Sequence, residues 1–372
     1  MTAQSEHSGM PRRQFVTQLG LVAASAAVLS QPILSYGQTA PMPVAFVGCG
    51  HIHAPDYARL LLKMDDVSVK YVWDHNADRG AQFAKAMNAK FVSDPKVIWA
   101  DAAIKAAVIC SETNRHRDLV LPAAEAKKHL FIEKPLGITA AESREMASAI
   151  EKNSLIFTTG YFMRTASAHL FLKEQVDKGV FGKVTRVRGS NCHAGSLAGW
   201  FDKDFRWMAD PKQSGVGAFG DLGTHSLDIL MWYFGDVESI AADIKTVTGH
   251  YGDCDESGEA LIKFKNGVTG TLAAGWVDVD NPVTLEISGT EAHATMIGDM
   301  LLFKCDKVPG ADGRQAWKQM PSPLQAPLAQ FVEALSGKPS KTLVTAREAA
   351  ARVSVMEAAY KASKDHAWVQ PA

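Results

Sequence analysis

Cysteine is scarce in this 372-residue chain: there are five, an odd number, and none stands at CxxC spacing. A disulfide framework and a structural zinc site both need paired or clustered cysteines, so neither is expected. Cys49 and Cys110 close apolar runs, where small buried hydrophobes belong. The chain also lacks an excess of charge of either sign, since 39 Lys and Arg face 40 Asp and Glu. With no basic run to form a patch, no nucleic-acid partner is expected. No uninterrupted apolar stretch reaches the roughly 20 residues that cross a bilayer. There is no internal repeat and no low-complexity segment after residue 43. What remains, 47% hydrophobic and 21% charged residues, is the composition of a globular protein of about two domains.

The first forty residues stand apart. Pro11-Arg12-Arg13-Gln14-Phe15-Val16 precedes a weakly apolar, Ala-rich stretch from Leu19 to Leu34 and small residues at 36–40. Paired arginines before such a stretch resemble a twin-arginine export signal. Residues 1–40 are read as that segment, cleaved between about 36 and 42, which places the mature protein in the periplasm without stable membrane insertion. The alternative is a cytoplasmic protein with a tail. Few cysteines suit a chain that folds in the cytosol before export.

Beyond residue 40 the hydrophobic pattern alternates. Pro43–Val47 is a continuous apolar run closed by glycine, as in a buried parallel strand. Further strands are predicted at Val67–Trp73, Ala106–Ile109, His129–Ile132 and Leu155–Thr159. Helical spacing lies between them, at Tyr57–Met64, Ala77–Met87, Leu119–Ala126 and from the Thr139/Glu142 capping pattern to Lys152. This alternation predicts a doubly wound parallel sheet, a Rossmann domain, over residues 41–160. From 161 to 372 the texture becomes α+β. Helices are predicted at Ala166–Lys178 and Ala346–Lys364. Strands are predicted at Lys183–Ser190, Ile240–Val247, Glu259–Phe264, Thr269–Trp276, Val283–Ser288 and Ala294–Phe303, forming a mostly antiparallel open sheet.

Gly48-Cys49-Gly50-His51-Ile52-His53 follows the first strand and opens the first helix, where a glycine-rich turn lets a pyrophosphate approach backbone amides. The third glycine of the usual fingerprint is missing, with His53 in its place. Asp74, 24 residues after Gly50 at the end of the second strand, supplies a carboxylate for both ribose hydroxyls and repels a 2′-phosphate. NAD is therefore expected over NADP, although Arg79 keeps NADP open. A turn or cap role is the plain alternative for Asp74. Ser111, Asn114 and His116 follow another strand and border the same cofactor, or cap a helix. His51-x-His53 has no carboxylate or cysteine at ligand spacing, even with His75 or His193, so no metal is expected.

Glu133-Lys134-Pro135 lies at the carboxyl end of a predicted parallel strand, where open α/β sheets place ligands. Alone, these three residues read as a solvated loop. Residues 220–228 read Gly-Asp-Leu-Gly-Thr-His-Ser-Leu-Asp. Asp221 and His225, four apart, share a helix face, and an unperturbed histidine is suited to accept a hydroxyl proton. Between His193 and Trp207 stand Trp200 and Arg206, a mixture able to face a polyol ring or simply to pack a loop.

The glycine turn, Glu133-Lys134-Pro135 and Asp-x-Gly-x-His-x-x-Asp at 221–228 together resemble the Gfo/Idh/MocA family, the glucose–fructose oxidoreductase and inositol dehydrogenase relatives. Arg164 after Gly160-Tyr161, Gly179-Val-Phe-Gly182, Trp207 and Gly215-Val-Gly217 extend the resemblance over nearly all of the chain after Pro43. The resemblance implies that Lys134, Asp221 and His225 form the catalytic group beside a nicotinamide. Gly48, Gly50, His51, Ile52, Asp74, Ser111, Asn114, His116, Glu133 and Lys134 are then expected at the cofactor, and Arg164, His193, Trp200, Arg206 and Trp207 at the substrate. Asp228 is expected to support the helix.

The activity implied is NAD-dependent hydride transfer at a hydroxyl carbon of a sugar, sugar derivative or cyclitol, by a homodimer or homotetramer. Free nicotinamide nucleotide is scarce outside the cytoplasm, so an exported member is expected to retain its cofactor. A rival of another class is a glycosidase that oxidises the sugar transiently, eliminates the aglycone, hydrates and re-reduces. A non-catalytic sugar-binding scaffold is the third reading.

Overall fold

The computed structural model describes residues 40–338, 340 and 342–372. The twin-arginine expectation therefore falls outside the described residues. Six strands form a parallel sheet: β1 (Met42–Val47), β2 (Val67–Trp73), β3 (Lys90–Phe91), β4 (Ala106–Ile109), β5 (His129–Ile132) and β6 (Phe157–Thr159). Their spatial order is β3-β2-β1-β4-β5-β6, the doubly wound Rossmann arrangement. β1, β4 and β5 are buried almost throughout because helices cover both faces, which is why they read as unbroken apolar runs. The covering helices are α1 (Ala54–Leu61), α2 (Ala77–Ala86), α3 (Lys96–Ala100), α4 (His116–Glu125) and α5 (Ala140–Lys152). Asn76 caps α2 and Thr139 caps α5 through their side-chain oxygens.

After α6 (Ser167–Asp177) the chain builds an eight-stranded sheet from β7 (Val184–Cys192), β8 (Val237–Lys245), β9 (Ser257–Phe264), β10 (Thr269–Gly275), β11 (Val283–Gly289), β12 (Ala292–Ile297), β13 (Met300–Cys305) and β14 (Asp312–Ala316). Its order is β14-β13-β12-β11-β7-β10-β9-β8. Every pairing is antiparallel except β7 with β10, so these two central strands end side by side. The expected fold class is borne out. The predicted strand Ala294–Phe303 is instead a hairpin, because Gly298 at φ 56° starts a two-residue turn between Ile297 and Met300.

Helices α7 (Pro211–Ser214) and α8 (Ala218–Phe234) lie between β7 and β8, while α9 (Pro327–Leu335) and α10 (Ala346–Asp365) follow the second sheet. α9 was not foreseen; its Leu328, Phe331 and Val332 join the core of the parallel sheet. α10 opens with a full Thr345/Glu348 capping box. Its first half packs into the parallel-sheet core and its second half into the core of the other sheet. α8 is buried along nearly its whole length, and Asp228 within it is fully buried between Arg164 and Arg352. Asp228 accepts from Arg164 through both oxygens at 2.7 and 2.8 Å and from Arg352 at 2.9 Å.

Breaking a buried ion network from one side leaves unpaired charge, which costs about 3–5 kcal/mol. Asp228→Ala is expected to lose stability on that scale in urea unfolding, and a loss under about 1 kcal/mol would show the two guanidinium groups to be solvated.

Candidate active site

Carboxyl ends of strands from both sheets meet at one cleft. β1 delivers the Gly48-Cys49-Gly50 turn, β5 delivers Glu133 and Lys134, and the adjacent ends of β7 and β10 deliver His193 and Trp276. The first turn of α8 brings Asp221. His51, Thr113, Lys134, Trp207, Met208 and Asp221 line the space between them.

At its centre Lys134 Nζ donates to Asp221 Oδ1 at 2.6 Å, and the indole N–H of Trp276 donates to Asp221 Oδ2 at 3.2 Å. Burial alone would raise the Asp221 pKa, but the Lys134 ammonium overrides it and holds the carboxyl at about 2. His225, one turn further along α8, is buried with Tyr161 and Phe162 against its ring at 5.9 and 5.0 Å. Burial first, and then Lys134, push its pKa well below the ordinary imidazole value, so the ring is neutral. Its Nδ1 is buried without a hydrogen-bond partner among the described residues. A neutral imidazole, a cation and an oriented carboxylate thus stand close together in largely buried surroundings, able to accept a proton and to stabilise alkoxide charge.

The glycine turn is set by close approach. Gly48 has φ 79°, and a Cβ there would lie 2.5 Å from Ser111. The amides of Gly50 and Ile52 donate to no acceptor among the described residues, leaving two donors at the start of α1 of the kind a diphosphate uses. These residues fit a dinucleotide. The Lys134–Pro135 peptide is cis.

Several expected site residues have other work. Asp74 does not stand free for ribose hydroxyls: its oxygens accept from the Cys49 and Asn76 amides at 2.6 and 2.7 Å and from Arg79 twice at 2.9 Å. Arg79 also reaches Glu112 at 2.8 Å, beside Gly50. Arg164, expected at the substrate, is buried and committed to Asp228 and Glu348. His116 is buried, with Nδ1 donating to the Leu136 carbonyl at 3.1 Å, so it braces the loop after Pro135 instead of bordering an open cleft. Trp207 lines the cleft, and its indole N–H donates to the Gly50 carbonyl at 2.9 Å, which ties it to the glycine turn. Arg206 is exposed and lies 4.7 Å from the Tyr251 ring. Asn114 is exposed, Ile52 half-buried and His51 buried against Trp207. The His193 ring lies against Trp200, tilted by 43° at 4.7 Å, within electrostatic reach of Asp221 and Lys134.

The residues missed are those with no motif: Trp276 on Asp221, Phe162 beside His225, and Tyr57 on Glu133. All five cysteines are free. No helix among the described residues is long and apolar enough to cross a membrane.

Residues 42–161 match the family model described as "Oxidoreductase family, NAD-binding Rossmann fold", and residues 169–295 match "GFO/IDH/MocA C-terminal domain". Together they take up well over half of the chain. Among curated relatives, the chain is 29% identical over 239 residues to myo-inositol 2-dehydrogenase of Thermotoga maritima, covering 62% of this chain and 67% of that protein. It is 27% identical over 260 residues to scyllo-inositol 2-dehydrogenase (NAD(+)) of Bacillus subtilis, covering 66% and 71%. With levoglucosan dehydrogenase of Pseudarthrobacter phenanthrenivorans it shares 26% over 250 residues, covering 60% of this chain and 63% of the relative. The structure of levoglucosan dehydrogenase with NADH and levoglucosan superimposes with a TM-score of 0.76 at 20% identity, covering 89% of this chain and 99% of that one. At that identity the likeness is one of fold.

Removing Lys134 leaves Asp221 buried without its cation. In the native protein the depressed pKa contributes stability that is full above about pH 4 and lost as pH falls through about 2. Lys134→Met is therefore expected to be less stable at pH 7, with the gap to the native protein narrowing as pH falls from 4 to 2. A gap independent of pH in urea unfolding would place the Lys134 contribution outside its charge.

Proposed function

The chain belongs to the Gfo/Idh/MocA oxidoreductase family, and we propose that it moves hydride between a hydroxyl-bearing carbon of a sugar, sugar derivative or cyclitol and NAD. The observation that carries this reading is the Lys134–Asp221 pair at 2.6 Å, with the neutral, unpartnered His225 one helical turn away. Relatives named as dehydrogenases of inositols and levoglucosan support the substrate class.

In this reading the Gly48–Gly50 turn, with the Gly50 and Ile52 amides, holds the diphosphate. Residues 41–160 form the NAD-binding domain and 161–372 the substrate and oligomerisation domain. Bound nicotinamide supplies the hydride acceptor; the rest falls to this chain. His225 accepts the hydroxyl proton, for which a ring that is neutral at rest is required. Lys134 steadies the oxygen as negative charge develops on it, and Asp221 holds the ammonium in place. His193 with Trp200, which is 43% exposed, and Phe162, 50% exposed, offer aromatic surface to the ring of the substrate.

Asp74 at the tip of β2 supports NAD over NADP, provided Arg79 turns aside to free its carboxylate. We also propose export by a twin-arginine signal, retention of the cofactor in the periplasm, and a homodimer or homotetramer through the open face of the eight-stranded sheet. That face carries Leu261, 41% exposed.

His225→Asn is expected to lower kcat by about 10²–10⁴ while NADH still binds, as read by nicotinamide fluorescence; unchanged turnover would remove His225 from the chemistry. Protein purified without added nucleotide and then denatured is expected to release about one NAD per chain on chromatography, as a tightly held cofactor must. An empty protein would make the cofactor dissociable and weaken the case for work outside the cytoplasm.

A further inference from the structure

The chemistry assigned to Lys134, Asp221 and His225 leaves a second buried cluster unused. The carboxylate of Glu133 collects three partners: the Tyr57 hydroxyl donates to Oε2 at 2.6 Å, while His53 Nδ1 and His51 Nε2 lie 3.3 and 3.9 Å from Oε1. Gly160 makes room for it, since a Cβ there would lie 2.8 Å from both Glu133 Oε2 and the Tyr57 oxygen.

Two histidines and a glutamate could in principle gather round a cation. The hydrogen bonding argues against it. The His53 amide donates to His51 Nδ1 at 3.2 Å, which puts the single proton of neutral His51 on Nε2, the nitrogen that faces Glu133. Burial keeps that ring neutral, with its pKa at about 3. A metal would need Nε2 bare.

His53 is placed differently. Its Nδ1 faces Glu133, its ring is 32% exposed, and its Nε2 has no partner among the described residues. A buried carboxylate on Nδ1 fixes that nitrogen as the donor and leaves a lone pair on Nε2, the arrangement that orients the histidine of a hydrolytic triad. The His53 ring also lies 4.6 Å from that of His51, which lines the cleft with Lys134 and Asp221, so His53 stands at the edge of the space that holds the proton-handling residues. His225 itself is enclosed, and each oxidation of a hydroxyl would leave it holding a proton.

We propose that His53, oriented by Glu133, is a second acid–base group of this site, receiving the proton that His225 takes from the substrate hydroxyl and passing it to solvent. The proposal rests on the hydroxyl-oxidation reading above. The O–H bond breaks as an N–H bond forms at His225, and the C–H electron pair leaves as hydride to the nicotinamide. The carbonyl forms, and one proton per turnover departs through His53 Nε2 to water or buffer. The groups facing His53 are His51, Tyr57 and Glu133. The position is the one where the dinucleotide fingerprint usually carries its third glycine, so the side chain is an addition to the turn and not a requirement of it.

Stopped-flow mixing in weak buffer, following NADH fluorescence and a pH-indicator dye together, tests this with the native protein and His53→Gln. In the native protein the proton is expected in bulk as NADH forms. In His53→Gln it is expected to lag about tenfold behind, with the lag removed by added imidazole. Proton release that keeps pace with NADH in the variant overturns the proposal. A native protein that forms no NADH with any sugar counts against the hydroxyl-oxidation reading instead. The dyad is then still decided by ¹⁵N spectra of the cofactor-free protein: protonated Nδ1 and bare Nε2 in His53, lost in Glu133→Gln, are expected, and the opposite tautomer in the native protein overturns it.

Discussion

At the cleft an ion pair ties the two sheets' ends together, Lys134 from the end of a parallel strand with Asp221 from the first turn of α8. Lys134 is buried and Asp221 largely so, and each needs the other: an isolated ammonium or carboxylate in that cleft would shed its charge or pull water in. The pair fixes more than itself. With one Asp221 oxygen given to Lys134 and the other to the Trp276 indole, the carboxylate cannot rotate, and the lysine head is aimed across the cleft toward the face of α8 that carries His225.

Two tryptophans reinforce that junction from the same side. Trp276, at the end of β10, grips Asp221, and Trp207 reaches across to the carbonyl of Gly50. The glycine turn and the proton-handling residues are therefore clasped by indole N–H groups from the part of the chain that carries the second sheet. The Asp228 network anchors the same helix about two turns further on, between Arg164 and Arg352. A helix held at Asp221 and at Asp228 presents His225, which lies between them, with little freedom.

What was legible in the sequence was local. The strands β1, β2, β4 and β5 announced themselves as short runs rich in apolar residues, three of them ending in glycine, aspartate or Glu-Lys-Pro, and their alternation with helical spacing pointed to a doubly wound parallel sheet. Asp221 and His225 were legible because a four-residue spacing on a helix is a geometric fact. What was not legible depended on partners far along the chain. Arg164 looked free for a substrate until Asp228, 64 residues away, took its guanidinium. Asp74 looked free for a ribose because Arg79 was read as a neighbour and not as its ligand. Trp276 carried no motif, and the turn at Gly298 was overlooked inside a run of β-forming residues. His53 stood out as a missing glycine, yet only the fold puts it on Glu133, 80 residues away.

The most direct test is isotopic. Sugars and cyclitols deuterated at each ring carbon in turn would be mixed with the NAD-loaded protein for a single turnover, and the nicotinamide examined by NMR. The account predicts deuterium at nicotinamide C4 from one ring position, and none with His225→Asn on the same timescale. Substrate consumed by the native protein with no deuterium on the nicotinamide, from any ring position, would contradict hydride transfer at this site.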